Sequence, residues 1–360
     1  MLSYYVLAPF ISILLFVLYY IIGKKGNITD SPVGRSSHKN STITGAGIVF
    51  TVSFLAVNIL CNTGLPLSFF LGLILLATIS FIDDIKFVKH SVRFVFQILG
   101  LILLVTQISI KGDFSDQIPV LIAGVLFGIG VLNGFNFIDG INGMLGLNTL
   151  VILVSLIYLN ENLVNPSTLE AMPFTSSIAL YSITASVIVF LFLNYRTKAV
   201  LFMGDVGSIS LGFIVLFFIY QLISKTGNLS YLLLFSVIGI DSGLTVIYKL
   251  IQKENIFIPH RDFLFKKLVH IGRYGHVRIS SIYALTQLAI NALVILLPFN
   301  KTLSAQVSVI FILVFIQCFL YINTRNKLTK QRIWSIRKPI SDKKKLPKKD
   351  NFTTQMKDNQ

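Results

Sequence analysis

The amino-acid sequence predicts an all-α polytopic membrane protein, and three observations lead to this prediction. The 360 residues are 54% hydrophobic and only 13% charged, whereas a soluble domain is about 45–50% apolar and about 25% charged. Several segments stay apolar for about 17–20 residues, which is enough for a helix to cross the ~30 Å hydrocarbon core of a bilayer. Lysine and arginine are concentrated in alternate connections between these segments, as the positive-inside rule describes.

The apolar pattern predicts about eleven membrane spans, of which the second, third and sixth are the shortest. The first is expected to be a true span rather than a signal peptide, because no basic residue precedes its apolar run and Lys24 and Lys25 follow it. Residues 1–323 are expected to form one membrane domain, and residues 324–360 a basic, disordered cytoplasmic tail. The predicted spans are residues 2–22, 46–62, 66–82, 92–110, 118–133, 145–160, 176–194, 207–223, 229–249, 279–298 and 303–322.

The distribution of basic residues predicts the orientation of the spans. With the N-terminus outside, all of the 31 lysines and arginines except Lys111, Lys225 and Lys301 fall on the cytoplasmic side. An even number of spans would place both termini on one side and break this alternation. Eleven spans, an outside N-terminus and a cytoplasmic C-terminus therefore fit best.

Residues 133–146, NGFNFIDGINGMLG, form a polar segment between two apolar spans. Asn133, Asn136 and Asp139 recur every three residues, so at a helix end they would share one face. The four glycines allow a ligand or another backbone to approach closely. A glycine-rich turn with Asn and Asp as helix caps explains the same pattern, and the segment alone does not separate the two interpretations.

Two adjacent acids, Asp83 and Asp84, end the third span. Carboxylates about 4 Å apart repel by about 4 kcal/mol at an effective dielectric constant near 20. The pair therefore needs a metal ion, a nearby cation or a proton on one member, unless it only caps a helix beside Lys86. Asp205, in GDVGS at the start of another span, is either a helix cap or a metal ligand, and free amides there suit an anion.

Two further sites follow towards the C-terminus. Asp241 lies within an apolar span, where an acid is costly and indicates a function. His260 and Arg261 are the centre of the longest cytoplasmic connection. The paired N–H donors of the Arg261 guanidinium match the spacing of phosphate oxygens. The neighbouring Lys266 and Lys267 are expected to contact lipid headgroups instead.

The orientation derived from lysine and arginine places these acids and amides at or near the cytoplasmic ends of their spans. Clustered carboxylate and amide oxygens suit Mg²⁺ or Mn²⁺, and the added basic groups suggest a phosphorylated substrate at the membrane face. An ion-coupled transporter would also use intramembrane acids, but near the middle of the bilayer and often in repeated halves. The sequence has no evident internal repeat.

The chain resembles the polyprenyl-phosphate N-acetylhexosamine-1-phosphate transferases over roughly residues 30–290. This superfamily includes the phospho-MurNAc-pentapeptide translocase and the dolichyl-phosphate GlcNAc-1-phosphate transferase. Four segments carry the resemblance in the same order, namely FIDDIKFV, NGFNFIDGING, FMGDVGSISLGF and PHRDFLFKKL. The last is similar to the loop of the O-antigen and capsule initiation branch.

The resemblance implies a transfer of sugar-1-phosphate from a UDP-N-acetyl sugar to polyprenyl phosphate, with release of UMP. Asp205 and Asn136 would hold Mg²⁺, and Asp83 or Asp84 would deprotonate or orient the lipid phosphate. The remaining residues would bind the substrate or support the polar cluster: Asp139, Asn142 as a reader of uracil, Asp241, His260 and Arg261.

Two departures from the family patterns bear on the branch. Asn142 stands where the bacterial pattern often has a second aspartate. The eukaryotic branch also has an asparagine at this position. The His-rich loop of the pentapeptide branch is absent, which favours a simpler UDP-N-acetyl sugar over phospho-MurNAc-pentapeptide transfer. The expected partners are the lipid, the nucleotide sugar and the inner (cytoplasmic) membrane, with no nucleic acid, and a homodimer is left open.

Overall fold

The structure of the protein, a computed structural model, describes residues 2–30, 41–106, 114–164, 170–254, 262–296 and 302–337. Helices dominate this part of the chain, and two short strands, β1 (Thr29–Asp30) and β2 (Thr42–Ile43), pair antiparallel. A 3₁₀-helix, Leu229–Phe235, leads into α9. The α-helices are α1 (Leu2–Lys25), α2 (Ile48–Leu60), α3 (Leu67–Ile85), α4 (His90–Val105), α5 (Phe114–Ile138), α6 (Met144–Asn162), α7 (Ser177–Asn194), α8 (Gly204–Thr226), α9 (Ser236–Ile251), α10 (Leu264–His270), α11 (His276–Leu296) and α12 (Leu303–Arg337).

An apolar helix lies within each of the predicted spans, so the all-α, multi-pass membrane architecture is confirmed. In the described part of the chain, nine helices are long and apolar enough to cross a membrane, counting the 3₁₀-helix and α9 as one span. The remaining two, α2 and α4, are apolar but shorter, with 13 and 16 residues. The third and sixth spans, expected to be short, contain helices of 19 residues each. The count of eleven and the orientation remain predictions.

Helix α8 forms the centre of the bundle. Nearly all of its residues from Val206 to Leu222 are buried, and α2, α3 and α5 pack around it. The Phe217 ring of α8 stacks on Phe69 of α3 with centroids 4.0 Å apart. Small residues let helices approach closely within a membrane: a Cβ atom on Gly47, just before α2, would collide with the Cα of Gly207. This contact brings the start of α2 against the start of α8.

Helix α12 differs from the sequence prediction at its C-terminal end. The tail was expected to be disordered from Thr324, but the helix continues to Arg337. The prediction is wrong for this part because it relied on composition, whereas Arg325 is buried by contacts with other helices. Residues 338–360 lie outside the described residues.

One end of the bundle collects the connections that carry the predicted site residues. The isolated bridge Ile43–Leu201 joins β2 to the connection between α7 and α8, and the Ala46 amide donates to the Phe202 carbonyl at 3.1 Å. The ends of α3 and α5 and the start of α4 lie at this same end, as the contacts below show. Successive antiparallel helices therefore bring distant parts of the sequence together there.

Candidate active site

Asp84, in the last turn of α3, binds the N-terminus of α8. One carboxylate oxygen accepts a hydrogen bond from the Asp205 amide at 2.8 Å, and the other accepts one from the Val206 amide at 3.1 Å. The first amides of a helix have no partner within the helix, and a carboxylate there is favoured by the helix dipole. Asp84 is thus a helix cap, but for α8 rather than for the helix beside Lys86.

Gly204 makes this cap sterically allowed. Its φ angle is +72°, in the left-handed region, and a Cβ atom would collide with the Asp84 carboxylate. Glycine adopts this conformation without a steric penalty, and its missing side chain leaves room for Asp84. The GDVGS motif therefore has a structural reason for its first glycine.

Arg93, in the first turn of α4, joins two carboxylates from different helices. Its guanidinium pairs with Asp83 through one nitrogen and with Asp205 at 2.6 Å through another. Asp83 also accepts a hydrogen bond from the Val88 amide at 2.8 Å. Arg93 is the nearby cation that the adjacent acids were expected to need. In the sequence Arg93 was evidence only of orientation, although its place ten residues after Asp83 is a signal that could predict the pairing.

The polar segment begins in the last turns of α5, where one asparagine side chain has protein partners and the other does not. Asn133 donates to the Gln97 side chain at 3.2 Å and to the Ile129 carbonyl at 2.8 Å, so it helps to pack α5 against α4. Asn136 is half-buried, and its side chain makes no hydrogen bond with the described residues. Of the two amides, Asn136 is the one that is free to bind a ligand.

Asp139 directly follows α5 and is electrostatically coupled to the α8 terminus. Burial, and to a lesser extent the charge of Asp205, raise the pKa of the Asp139 carboxyl to about 7, while the Lys266 ammonium opposes this rise. Mutual repulsion of carboxylates is relieved by a cation placed close to both. We refer to Asp139 and Asp205 as the acidic pair, because the charge of Asp205 raises the Asp139 pKa and a cation near both would oppose that rise.

Lys266 packs against the backbone that follows Asp139, whereas the lipid headgroup contact expected for it stays a prediction. A Cβ atom on Gly140 would be 2.6 Å from Lys266 Cε, which shows how closely the lysine packs on the backbone after Asp139. The Lys266 ammonium also lies 5.3 Å from the centre of the Phe263 ring. The neighbouring Lys267 pairs with Asp262 at 3.2 Å.

Asn142 has a structural role that the sequence did not predict. It is 6% exposed, and its amide nitrogen donates to the Arg196 carbonyl at 2.7 Å and to the Thr197 carbonyl at 3.4 Å. The Ser280 hydroxyl donates to its backbone carbonyl at 2.7 Å. Because the side-chain donor is engaged, Asn142 does not offer uracil the expected pair of donor and acceptor. It ties the turn after α5 to the connection before α8.

Asp241, which was predicted to bind the substrate, is engaged by donors of the protein itself. The side chain is buried, and it accepts hydrogen bonds from the Leu264 amide at 3.0 Å and the Tyr283 hydroxyl at 2.7 Å, among others. The cost of an acid in an apolar helix is offset here by protein donors. The other two predicted substrate-binding residues, His260 and Arg261, lie outside the described residues.

A divalent cation would need the substrate to complete its ligands. In the described ranges, no group of three or more His, Cys, Asp or Glu residues is placed to hold a metal ion. Mg²⁺ usually takes one or two carboxylates and completes its shell with water and substrate phosphates. The Asp205 carboxylate, with 30% of its side chain exposed, and the unengaged Asn136 amide are ligands of the type that such a site uses.

Four of the predicted acids lie at helix ends, whereas Asp241 lies within α9. Asp83 and Asp84 lie in the last turn of α3, Asp205 in the first turn of α8, and Asp139 just after α5. An arrangement of this kind faces the membrane boundary and suits a reaction there better than ion transport through the bilayer centre.

One comparison with known proteins found a family match for part of the chain. A family model described as glycosyl transferase family 4 matches residues 66–223, which is less than half of the chain. A search of curated proteins gave no match. The family match supports a polyprenyl-phosphate sugar-phosphate transferase in general. The matched region contains all the predicted site residues except Asp241, His260 and Arg261.

Proposed function

We propose that the protein transfers an N-acetylhexosamine-1-phosphate group from a UDP-sugar to undecaprenyl phosphate or a similar polyprenyl phosphate, with release of UMP. The reaction would take place at the cytoplasmic face of the inner membrane, as the first membrane step in the synthesis of a cell-surface polysaccharide. The observation that carries the proposal is the meeting of Asp83, Arg93, Asp139 and Asp205 at one end of a membrane bundle. The family match supports the same reaction class.

Two anions must approach each other in this reaction, so positioning and charge compensation dominate the barrier. An oxygen of the lipid phosphate attacks the β-phosphorus of the nucleotide sugar, and the bond from that phosphorus to the bridging oxygen breaks. UMP leaves with the bridging oxygen. Mg²⁺ held by Asp205 and Asn136 would neutralise charge on the diphosphate.

Of the two adjacent acids, Asp83 is better suited to act on the lipid phosphate. Asp84 is engaged with two backbone amides of α8, and releasing it would uncap the helix. Asp83 is paired with the Arg93 guanidinium, which would exchange this carboxylate for the oxygens of an arriving phosphate. Asp83 would then accept any proton that the phosphate carries, while Arg93 binds its oxygens.

The nature of the sugar follows only from the resemblance of the His260–Arg261 connection. This connection lacks the His-rich signature of the pentapeptide branch, so we propose a UDP-N-acetylhexosamine without a peptide. The O-antigen and capsule initiation branch remains the proposed branch.

The test is an assay of purified protein in detergent with undecaprenyl phosphate, Mg²⁺ and a panel of UDP-N-acetyl sugars that includes UDP-MurNAc-pentapeptide. We expect UMP and a lipid-linked sugar diphosphate with at least one simple UDP-sugar, and no product after chelation of Mg²⁺. Asp205→Asn and Asn136→Ala should abolish transfer while the protein still inserts and elutes as the wild type does. Near wild-type turnover of both variants in Mg²⁺ would show that Asp205 is only part of a helix terminus. Efficient use of UDP-MurNAc-pentapeptide would reverse the proposed branch.

A further inference from the structure

A second polar cluster lies among α9, α11 and α12, and the proposed reaction does not use it. At its centre is Asp241, which is only 2% exposed. The carboxylate accepts hydrogen bonds from the Leu264 amide at 3.0 Å, the Phe265 amide at 3.3 Å and the Tyr283 hydroxyl at 2.7 Å. A buried carboxylate persists only when its oxygens are satisfied in this way. Asp241 therefore fixes the first turn of α10.

Helix α12 holds Asp262, which lies two residues before that turn. The Arg325 guanidinium donates to the Asp262 carbonyl at 2.9 Å and to the Tyr321 hydroxyl at 3.0 Å. It also lies 4.2 Å from the centre of the Tyr248 ring. Arg325 is 7% exposed, so its charge is committed to these contacts rather than to lipid or water.

Hydrogen bonds connect the Asp241 contacts to the Arg325 contacts. The Tyr321 hydroxyl lies 2.9 Å from the Thr245 hydroxyl, and the Thr245 hydroxyl is 3.4 Å from Asp241 Oδ1. We call this set the α10 clamp; its members are Asp241, Thr245, Tyr283, Tyr321 and Arg325. Hydrogen-bonded networks of buried groups restrain the elements that they join, so the clamp fixes the chain from Asp262 to Phe265.

Lys266 directly follows the segment that the α10 clamp fixes, and it lies near the acidic pair. Phe265 is completely buried, and its ring would lie 3.0 Å from a Cβ atom on Gly140. Lys266 packs on the same backbone, and its charge acts on Asp139. The aromatic rings of Phe263 and Phe265 lie 5.3 and 5.7 Å from the ammonium, which restricts the side chain further. Any loosening of α10 would move this ammonium away from Asp139.

We propose that Lys266 binds the diphosphate of the nucleotide substrate and that the α10 clamp positions it for this role. The proposal rests on the proposed function and deepens it. An ammonium is a compact charge with three hydrogen-bond donors. Together with a cation bound at the acidic pair, the Lys266 ammonium would neutralise the negative charge of the diphosphate. Asp241, Tyr283 and Arg325 are positioning residues that act through Lys266. This role accounts for the two buried charged side chains, Asp241 in α9 and Arg325 in α12.

The test is a double-mutant cycle. Asp241→Asn, Tyr283→Phe and Arg325→Lys are each made in the wild type and in Lys266→Ala, and kcat/KM for the UDP-sugar is measured. A hydrogen bond to a charged group contributes enough that we expect losses of about 10-fold for Tyr283→Phe and about 10- to 100-fold for Asp241→Asn in the wild type. In the Lys266→Ala background each should cost less than about 3-fold, because coupled residues are not additive. Arg325→Lys should fall between Tyr283→Phe and the wild type.

Two measurements do not depend on turnover. Hydrogen–deuterium exchange of peptides covering residues 262–270 should rise in Asp241→Asn and Tyr283→Phe, while the rest of the bundle stays protected. Binding of UDP in the presence of Mg²⁺ should weaken in Lys266→Ala and in the clamp variants. Tyr220→Phe is the matched control. It removes the 2.6 Å hydrogen bond from the buried Tyr220 hydroxyl to the Gly124 carbonyl, about 24 Å along α8 from Gly204 at 1.5 Å per residue.

The outcomes separate this proposal from the proposed function. Equal losses in both backgrounds, or unchanged exchange in α10, would overturn the clamp as a positioning device. Undiminished UDP binding by Lys266→Ala would overturn the role of the lysine. If the wild type binds UDP and the variants weaken that binding but no sugar is transferred, the clamp stands and the proposed reaction fails.

Discussion

Arg93 connects carboxylates from two helices that are far apart in the sequence. Asp83 belongs to α3 and Asp205 to α8, and both pair with the same guanidinium. Without it, two partly buried negative charges would face each other, which costs free energy at low dielectric. A substrate phosphate offers the guanidinium an alternative partner with matching geometry. Arg93 is therefore expected to stabilise the empty site and to bind the lipid phosphate when it arrives.

We predict that Arg93→Ala lowers kcat/KM for polyprenyl phosphate about 10- to 100-fold, the range expected for loss of a charge-assisted hydrogen bond. Arg93→Lys should recover little, because a single ammonium does not reproduce the fork that spans two carboxylates. The measurement is initial-rate transfer at varied lipid concentration.

Lys89→Ala provides the matched control. Lys89 precedes α4, is exposed and forms no ion pair with the described residues. Equal effects of Arg93→Ala and Lys89→Ala would show that the region supplies only diffuse positive charge.

At the scale of the helices, the Asp84 cap fixes how α3 and α8 meet. Both carboxylate oxygens bind amides in the first turn of α8, so the end of one helix sets the position of the start of the other. This contact also sets the positions of Asp83 and Asp205, because Asp83 is adjacent to Asp84 and Asp205 is adjacent to Val206. The cap thus determines the geometry of the acidic site, although it is itself structural.

We predict that Gly204→Ala destabilises the folded protein by about 1–3 kcal/mol, because alanine is strained at positive φ and its Cβ would collide with Asp84. Thermal unfolding in detergent should show a lower midpoint. Transfer activity should fall as well, since the shift displaces Asp205.

The control is Gly130→Ala in α5, where a Cβ atom would meet nothing within 4 Å. Alanine is favoured over glycine inside a helix by about 0.5–1 kcal/mol, so this variant should be as stable as the wild type or more so. A Gly204→Ala protein with an unchanged midpoint would contradict the steric argument.

For the whole molecule, the sequence predicted those features that depend on one-dimensional patterns. Apolar length located the helices, and charge alternation grouped Asp83, Asp139 and Asp205 at one end before any contact was known. Hydrogen bonds between residues that are far apart in the sequence were not predictable in this way. Asp84 binds α8, and Asn142 binds the Arg196 carbonyl, because tertiary packing brings those groups together. Both residues resemble ligands in the sequence, since Asp and Asn serve equally well as caps.

The last prediction concerns the orientation of the whole molecule in the membrane. Because nearly all basic residues fall on one side under the predicted topology, reporter fusions at Asn62, Ser115 and Asn165 should report outside. Fusions at Lys39, Thr197 and Lys253 should report inside. Phosphatase and fluorescent-protein fusions in cells would provide the measurement. A fusion at Lys253 that reports outside would place the acidic site on the wrong side for a nucleotide sugar.

The contact between Asp84 and the α8 amides also sets an order of events during synthesis. The chain must grow from Asp84 to Val206 before the carboxylate finds its partners, which takes about 10 s at the usual 5–20 residues per second. Until then Asp84 must stay at the polar boundary, because an unpaired carboxylate is costly in hydrocarbon. Arg93 emerges soon after Asp83 and can neutralise it in the meantime. The acidic site can therefore form only after the start of α8 has been synthesised.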